Sequence, residues 1–416
     1  MPFYHDGTFH LFYLIDRRHH HSKWGLGAHQ WAHISSTDLI HWTSYPIALP
    51  ITEQWEGSIC TGSVFYDKGT YYAFYATRMP DRKERLAMAL SKDGVHYEKV
   101  LPTPFMVPKA PFRQGPNRDP HVNRDGNGFL MLVTAALEGK KNGRDQGALE
   151  QLKSEDLQHW SALETPFLLP GYSPQPECSD LFEWRGRFYL LFGVAGITHY
   201  RIGRSLHGPW SKPEIETLDA GEARVMKTAA FHDDRRILVG WVGYDNFGGN
   251  LIFRELVQNP DSTLGTKLVK EMLPHNEQQK TMIHVGKDHS SAPLQDYSTA
   301  EFHLTLKAHG SSSGQPYGLT FERNGRIETL LIIPAEGTVE WLDTAGRQAD
   351  RLADMPQLQQ QANIEIVRKG DLVDLCVNSH RTMIHRLQSS TSSISIFTRG
   401  SDVEGFARMS IMSVTR

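Results

Sequence analysis

The chain has 416 residues, room for two domains, with 39% hydrophobic and 22% charged side chains. A net charge of −3 and the lack of a Lys/Arg cluster argue against a nucleic-acid surface, and no apolar run approaches the roughly 18 residues a membrane span needs. The opening MPFYHDGTFHLFY carries no secretory-signal pattern, and three distant cysteines (Cys60, Cys178, Cys376) form neither a disulfide framework nor a C-x-x-C zinc pattern, so a reducing cytoplasm is the expected setting.

In chain order, strand-like runs led by turn residues recur: DGTFHLFY (6–13), KGTYYAFY (68–75), GNGFLMLV (126–133), RGRFYLLFG (185–193) and DRRILVGW (234–241). Each sets turn formers before aromatic and β-branched residues, the signal of a hairpin entering a strand. Their spacing of roughly 50–60 residues belongs to propeller blades or arrays. A second element follows the first three: SSTDLIHW (35–42), LSKDGVHY (90–97) and KSEDLQHW (153–160), with a weaker fourth copy at RSLHGPW (204–210). The shared pattern S-x-D-x-x-H-[WY] reads as structural, with Asp holding backbone in a turn, because a motif copied into several blades cannot line one axial site each time. Residues 1–275 are therefore expected to form a five-bladed β-propeller.

The composition turns polar over 276–293, which reads as a linker. Beyond it, over 294–416, short alternating runs such as AEFHLTLKA (300–308), YGLTFER (317–323) and SISIF (393–397) predict an antiparallel β-sandwich. The fold class is thus all-β, a propeller followed by a sandwich. The sandwich is expected to serve as structure or as an oligomer contact.

Two carboxylates stand out by context. Asp119 lies in GPNRDPHV and Glu177 in PQPECSDLF, each just before a strand and about one repeat apart. In a propeller such positions face one axis, and two or three converging carboxylates are what glycoside hydrolysis needs. The plain alternative is a turn Asp before proline and a solvated loop Glu. His19, His20 and His21 in RRHHHSKW could ligate a metal, but adjacent histidines on a strand point to opposite faces and no partner spacing appears, so no metal site is read.

These residues resemble glycoside hydrolase family 32, the invertases, levanases, inulinases and other β-fructosidases. NRDPHV resembles the family's R-D-P motif and PECSDLF its E-C motif. WAHISSTDLIHW (31–42) is similar to its W-G-H-A-x-S-x-D-L-x-H-W segment, and CTGSVFYDKGTYYAFYAT (60–77) to its F-S-G-S segment with the strand that follows. RRILVGW (235–241) and FRELV (253–257) resemble later propeller landmarks, and IEIVRKGDLVDLCVNSHRTMIHR (364–386) a segment of the family's C-terminal sandwich. The resemblance implies a propeller with a sandwich, no metal or organic cofactor, and a small carbohydrate substrate. It also implies that Glu177 is the general acid/base and Asp119 the transition-state stabiliser. Arg118, Trp31, Thr61, Gly62, Ser63 and Arg224 fall in segments that would contact sugar. A partly desolvated pocket around Glu177 is expected, since a proton donor at neutral pH needs one.

Departures accompany the matches. The family's nucleophilic Asp stands in an N-D-P-N-G segment before the first strand, and the position aligned with it falls before Met1; neither Asp6 nor Asp16 fits. The expectation is a start that is shortened, the other account being a protein without a nucleophile. The family's D-x-G-x-x-F-Y-A segment reads DAGEARVM (219–226), with Arg224 and Val225 in place of two aromatics. The function expected is hydrolysis, with retention, of terminal β-fructofuranosides such as sucrose or short fructo-oligosaccharides. The alternatives are a catalytically silent sugar-binding or sensing propeller, and a related hydrolase or fructosyltransferase for another sugar.

Overall fold

The structure is a computed structural model; it describes residues 1–416 apart from 17–28, 82, 102–110, 114, 116, 245–246, 274–277, 286–290, 295–300, 310–313, 354, 360, 389–392, 400–402 and 412–416. His19, His20 and His21 lie outside the described residues. Among the described residues no helix is long and apolar enough to cross a membrane.

Five small antiparallel sheets follow one another along the chain, each strand pairing with the next in sequence. Blade I contains Pro2–His5, Thr8–Ile15, Gln30–Ser36 and Thr43–Ser44; blade II contains Ser58–Asp67, Thr70–Arg78, Glu84–Ser91 and Glu98–Lys99. Blade III contains Arg118–Asp125, Gly128–Ala136, Gly147–Ser154 and Ser161–Ala162. Blade IV has Glu177–Trp184, Arg187–Val194 and Ile197–Gly203; blade V has Ala223–Phe231, Arg235–Tyr244, Phe247–Gln258 and Leu264–Lys267. This is the expected five-bladed propeller, and the five repeated runs form the second strand of each blade.

The hairpins before those strands turn as their sequences require. Asp6-Gly7, Lys68-Gly69 and Arg185-Gly186 all sit at positive φ (+45° to +48° for the first residue, +74° to +79° for the glycine), the conformation of two-residue turns that match strand twist. The second strands are buried on both faces, so they read as continuous apolar runs. Met131 and Val133 pack with Phe74, Leu86 and Leu152 on one side. Leu130 and Leu132 pack with Leu181, Leu190 and Phe192 on the other. Each such side chain contributes about 1.5–3 kcal/mol by leaving water.

The S-x-D-x-x-H-[WY] motif is structural. In three blades the serine hydroxyl (Ser36, Ser91, Ser154) accepts the backbone N–H three residues on, at 2.7–2.9 Å. The aspartate (Asp38, Asp93, Asp156) accepts two further N–H groups and the Nδ1–H of its histidine (His41, His96, His159), the last at 2.7 Å each time. Those hydrogen bonds from histidine hold the three carboxyls well below their usual range. The weaker copy at 204–210 turns differently, with Ser205 donating to the Gly208 carbonyl.

The chain divides into two compact units. The first comprises Met1–Thr217, Arg224–Phe253 and Pro260–Thr263; the second comprises Leu218–Ala223, Arg254–Asn259 and Leu264–Arg416. The second unit holds a seven-stranded and a six-stranded sheet. Their shared core includes Phe302, Leu319, Leu330, Trp341, Ile366 and Leu375. The segment 276–293, expected to be a linker, carries strands Gln278–Val285 and Ser291–Leu294, which pair with Val403–Ile411 and Ser393–Thr398. Both are edge strands of their sheets. An edge strand tolerates polar residues and proline, here Pro293, so its composition imitates a loop. Asp219–Gly221 joins the seven-stranded sheet by parallel pairing with Arg381–Arg386. Its Asp219 accepts from the fully buried Arg254 at 2.9 Å, and Arg254 also bonds Asp374 at 2.6 Å.

A histidine bridges the two sheets of the sandwich. His385, on Arg381–Arg386, donates from Nδ1 to Asp350 (2.7 Å) and from Nε2 to Glu328 (3.1 Å), and stacks on Trp341 at 4.4 Å between ring centres. Burial pushes its pKa down, but the two carboxylates outweigh burial and raise it to about 9. Between pH 6.5 and 9 the folded chain keeps a proton that the unfolded chain releases. The stabilisation is therefore complete below about pH 6.5 and lost as pH rises through 9, a change on the order of 3 kcal/mol. Urea unfolding of the sandwich at pH 6.5, 8 and 9.5 should show this loss, and His385→Asn or Glu328→Gln should flatten it. Equal slopes for wild type and both variants would remove the assignment.

Candidate active site

The inner strands of blades III, IV and V share a backbone feature the sequence does not announce. The residue after Arg118, after Glu177 and after Arg224 is left-handed: Asp119 at φ +56°, Cys178 at +53° and Val225 at +49°. None is glycine, and Val225 is β-branched, so each costs about 1–3 kcal/mol and is held by its surroundings. In blades III and IV the ladder slips at this point, between Leu132 and Thr134 and between Glu177 and Asp180. Arg118 faces Thr134 and Glu177 faces Gly193, corresponding places on the second strands. Such bulges re-aim side chains at the end of a sheet.

The two kinks bring Arg118, Asp119 and Glu177 together. Arg118 donates to Glu177 Oε1 at 2.5 Å and to Gln175 Oε1 at 2.7 Å, while its Nε lies 3.6 Å from Asp119 Oδ2. That Asp119 oxygen accepts from the Cys178 backbone N–H at 3.0 Å and from Thr134 Oγ1 at 3.1 Å. Thr134 also touches the Pro176 carbonyl at 2.9 Å, so the RDP and PEC segments are tied across neighbouring blades. Asp119 is 3% exposed, whereas the Glu177 side chain is 36% exposed. One carboxylate is fixed in place by donors and the other can be reached from solvent. Glu177 is therefore only partly withdrawn from solvent, with the Arg118 guanidinium as its charged neighbour.

The other expected contacts divide. Thr61 is half-buried, and the nearby Cys178 thiol is raised well above its ordinary pKa by burial. Ser63 is buried and lines an axial cavity of about 230 Å³ with His121, Asp180 and Lys227. Arg224 is exposed, and its Nη1 would lie 2.5 Å from a Cβ on Gly196, at the adjoining turn of blade IV. Trp31 needs correcting as a sugar contact, and Gly62 has a packing role of its own. Trp31 is 0% exposed, donates its indole N–H to the Cys60 carbonyl at 2.8 Å and packs on Phe12 and Tyr75. An added Cβ at Gly62 would stand 1.9 Å from the Phe74 carbonyl oxygen, so glycine is there to let strands approach.

Sequence reasoning passed over Thr134, Gln175, Asn117 and Glu150. Thr134 interrupts an apolar strand, and Glu150 takes a buried position in GALEQLKS; both are polar residues where the alternation calls for apolar ones.

Residues 1–249 match the model of the glycosyl hydrolases family 32 N-terminal domain. The chain belongs to glycoside hydrolase family 32. Among the family's curated members, sucrose-6-phosphate hydrolase of Zymomonas mobilis is 26% identical over 370 residues, 79% of this chain and 70% of that protein. The levanbiose-producing levanase of Bacillus subtilis is 28% identical over 270 residues, 60% of this chain and 45% of that protein. Against other matched members the chain spans about half their length, as for the Escherichia coli sucrose-6-phosphate hydrolase (52%). The family 32 fold extends over the whole chain. The structure of sucrose-6-phosphate hydrolase from Lactobacillus gasseri aligns with a TM-score of 0.80, 17% identity, 99% of this chain and 89% of that one. Fructan 1-exohydrolase IIa from Cichorium intybus aligns at 0.78, with 15% identity, 99% of this chain and 94% of that one.

Proposed function

We propose that this glycoside hydrolase cleaves terminal β-fructofuranosides, sucrose or short fructo-oligosaccharides, with retention of configuration, in the cytoplasm. The observation that carries the reading is the pairing of a buried, donor-bound Asp119 with a reachable Glu177 on adjacent blades, joined by Arg118. Glu177 protonates the leaving oxygen and later activates water; Asp119 holds negative charge against the oxocarbenium-like sugar. The relatives named as sucrose-6-phosphate hydrolases and as a levanase support a fructoside.

Retention also needs an attacking carboxylate about 5–5.5 Å from the acid, on the other face of the sugar. We place it upstream of Met1. Pro2–His5 is the inner strand of blade I, with Pro2 opposite Leu11. Continued in that register, residues just before Met1 would face Tyr13 and Leu14. Counted from the hairpin, Leu14 corresponds to Thr134 and Gly193, which face Arg118 and Glu177.

The test compares these 416 residues with a form extended upstream by an Asp-bearing segment, following the first-formed fructose anomer by NMR. The extended form should release the β-anomer first, and the shorter form should bind sugar without turnover. Inverted product, or no turnover on any fructoside after extension, would overturn the reading.

A phosphorylated sucrose is a second reading, favoured by Arg224: it is exposed, it lies beside Gly196 of blade IV, and no ion pair for it occurs among the described residues. Lost charge-assisted hydrogen bonds to a phosphate should raise KM roughly 10–100-fold. Arg224→Gln should therefore raise KM for sucrose 6-phosphate by that factor and leave KM for sucrose unchanged. Equal effects on both sugars would return the weight to the unphosphorylated substrate.

A further inference from the structure

Behind the Arg118–Asp119 kink lies a buried carboxyl that the catalytic reading does not use. Glu150, on Gly147–Ser154 of blade III, is 0% exposed, and Asn117, directly before Arg118, is 1% exposed. Asn117 Nδ2 donates to Glu150 Oε2 at 3.1 Å. The remaining oxygen of each side chain, Glu150 Oε1 and Asn117 Oδ1, is buried and has no hydrogen-bond donor among the described residues. With an ionised Glu150 both oxygens are acceptors only, and two buried acceptors left empty are costly. A carboxylic acid and a carboxamide that meet face to face close a ring of two hydrogen bonds, N–H···O and O–H···O. Only the acid form supplies that second bond.

We propose that Glu150 is a neutral carboxylic acid whose proton is shared with Asn117, making it a positioning residue that fixes the turn carrying Arg118 and Asp119. What it positions rests on the function proposed above; its protonation does not. The surroundings agree. Glu150 alternates with Ala148 and Leu152, which pack in apolar clusters with Ala135 and Phe112 and with Val133 and Leu86. Burial pushes its pKa up to about 7 against the pull of the Asn117 bond. The charged groups of the elements around it are engaged with one another. On blade II, Arg78 bonds Glu84 at 3.2 Å and Arg85 bonds Asp81 at 3.1 Å; on its own blade Arg118 bonds Glu177. No ion pair to Glu150 occurs among the described residues. The strained Asp119 thus has a clamp on each side: Asn117 before it, Cys178 N–H and Thr134 Oγ1 at its carboxylate.

The test uses the whole chain and no substrate. Gln at position 150 supplies an N–H where the acid supplies its O–H, and does not titrate. Because the folded acid keeps its proton above the ordinary carboxyl range, wild type is at its best relative to Glu150→Gln near pH 5. It should lose ground as pH rises to about 7. The difference in melting temperature should open by on the order of 5 °C between pH 5 and 8. The protonated-carboxyl infrared absorption at pH 6 should be larger in wild type than in Glu150→Gln by one carboxyl group. Exchange of the Cys178 amide hydrogen, which Asp119 accepts, should quicken at least about tenfold in Glu150→Leu and stay unchanged in Glu150→Gln. Parallel melting curves, or no infrared difference, would overturn the neutral acid. Equal exchange rates in all three proteins would overturn the positioning role. If Glu150→Leu does not fold, Asn117→Leu takes its place in the exchange measurement. Failure of the fructosidase reading would leave all three readouts untouched.

Discussion

Glu177→Gln should slow hydrolysis of sucrose by roughly 10²–10⁴-fold in the form carrying the upstream carboxylate, with KM little changed. Glutamine keeps the shape and, through Oε1, the contact that Arg118 makes at 2.5 Å, so the kink and its partner blade stay in place. What is lost is the proton for the leaving oxygen. A fructoside with a good leaving group needs that proton less, so its cleavage should suffer far less than that of sucrose. Steady-state rates on the two substrates separate the effects. A uniform loss on both would point to a broken site, and no loss on either would remove Glu177 from the acid/base role.

Asp119→Asn should leave the fold intact and lower kcat by about 10²–10³-fold. The amide oxygen of asparagine can still accept from the Cys178 N–H and Thr134, the contacts that hold residue 119 at φ +56°. The negative charge is lost, and it matters only when positive charge develops on the sugar. Thermal unfolding and turnover per folded molecule decide between two roles. A lowered melting temperature with unchanged turnover would make Asp119 the ordinary turn residue that its R-D-P setting also allows.

Much of the propeller was legible because its punctuation is local. Asp6-Gly7, Lys68-Gly69 and Arg185-Gly186 announce tight turns, and the apolar runs behind them announce strands buried on both faces. That Asp119 and Glu177 come close together was legible from their matching points in successive repeats. Other features depend on partners remote in sequence. The edge strands Gln278–Val285 and Ser291–Leu294 are defined by what pairs with them, and their composition alone looks like a loop. Asp219–Gly221 is drawn to Arg381–Arg386 by long-range pairing that no local pattern carries. Trp31 was misjudged because a tryptophan suits a sugar platform and a core equally, and only burial decides. Cys178 and Val225 were hidden because neither residue type marks the left-handed conformation, and Asp119 because the proline after it suggests an ordinary turn.

The three kinks also bear on how a new specificity can arise in this enzyme. Arg118, Glu177 and Arg224 each stand one residue before a backbone bend held by contacts of the residue that follows or of the adjoining strands. The bend therefore acts as a socket, and the preceding position is a plug. Exchanging the plug at 224 leaves the socket formed at Val225 unchanged, so a single substitution can present a ring, an amide or a cation at this exposed point. Exchange at 118 or 177 has no such freedom, because there the plugs hold each other. Within one scaffold, change is thereby channelled to blade V while the Arg118–Glu177 contact between blades III and IV is kept fixed.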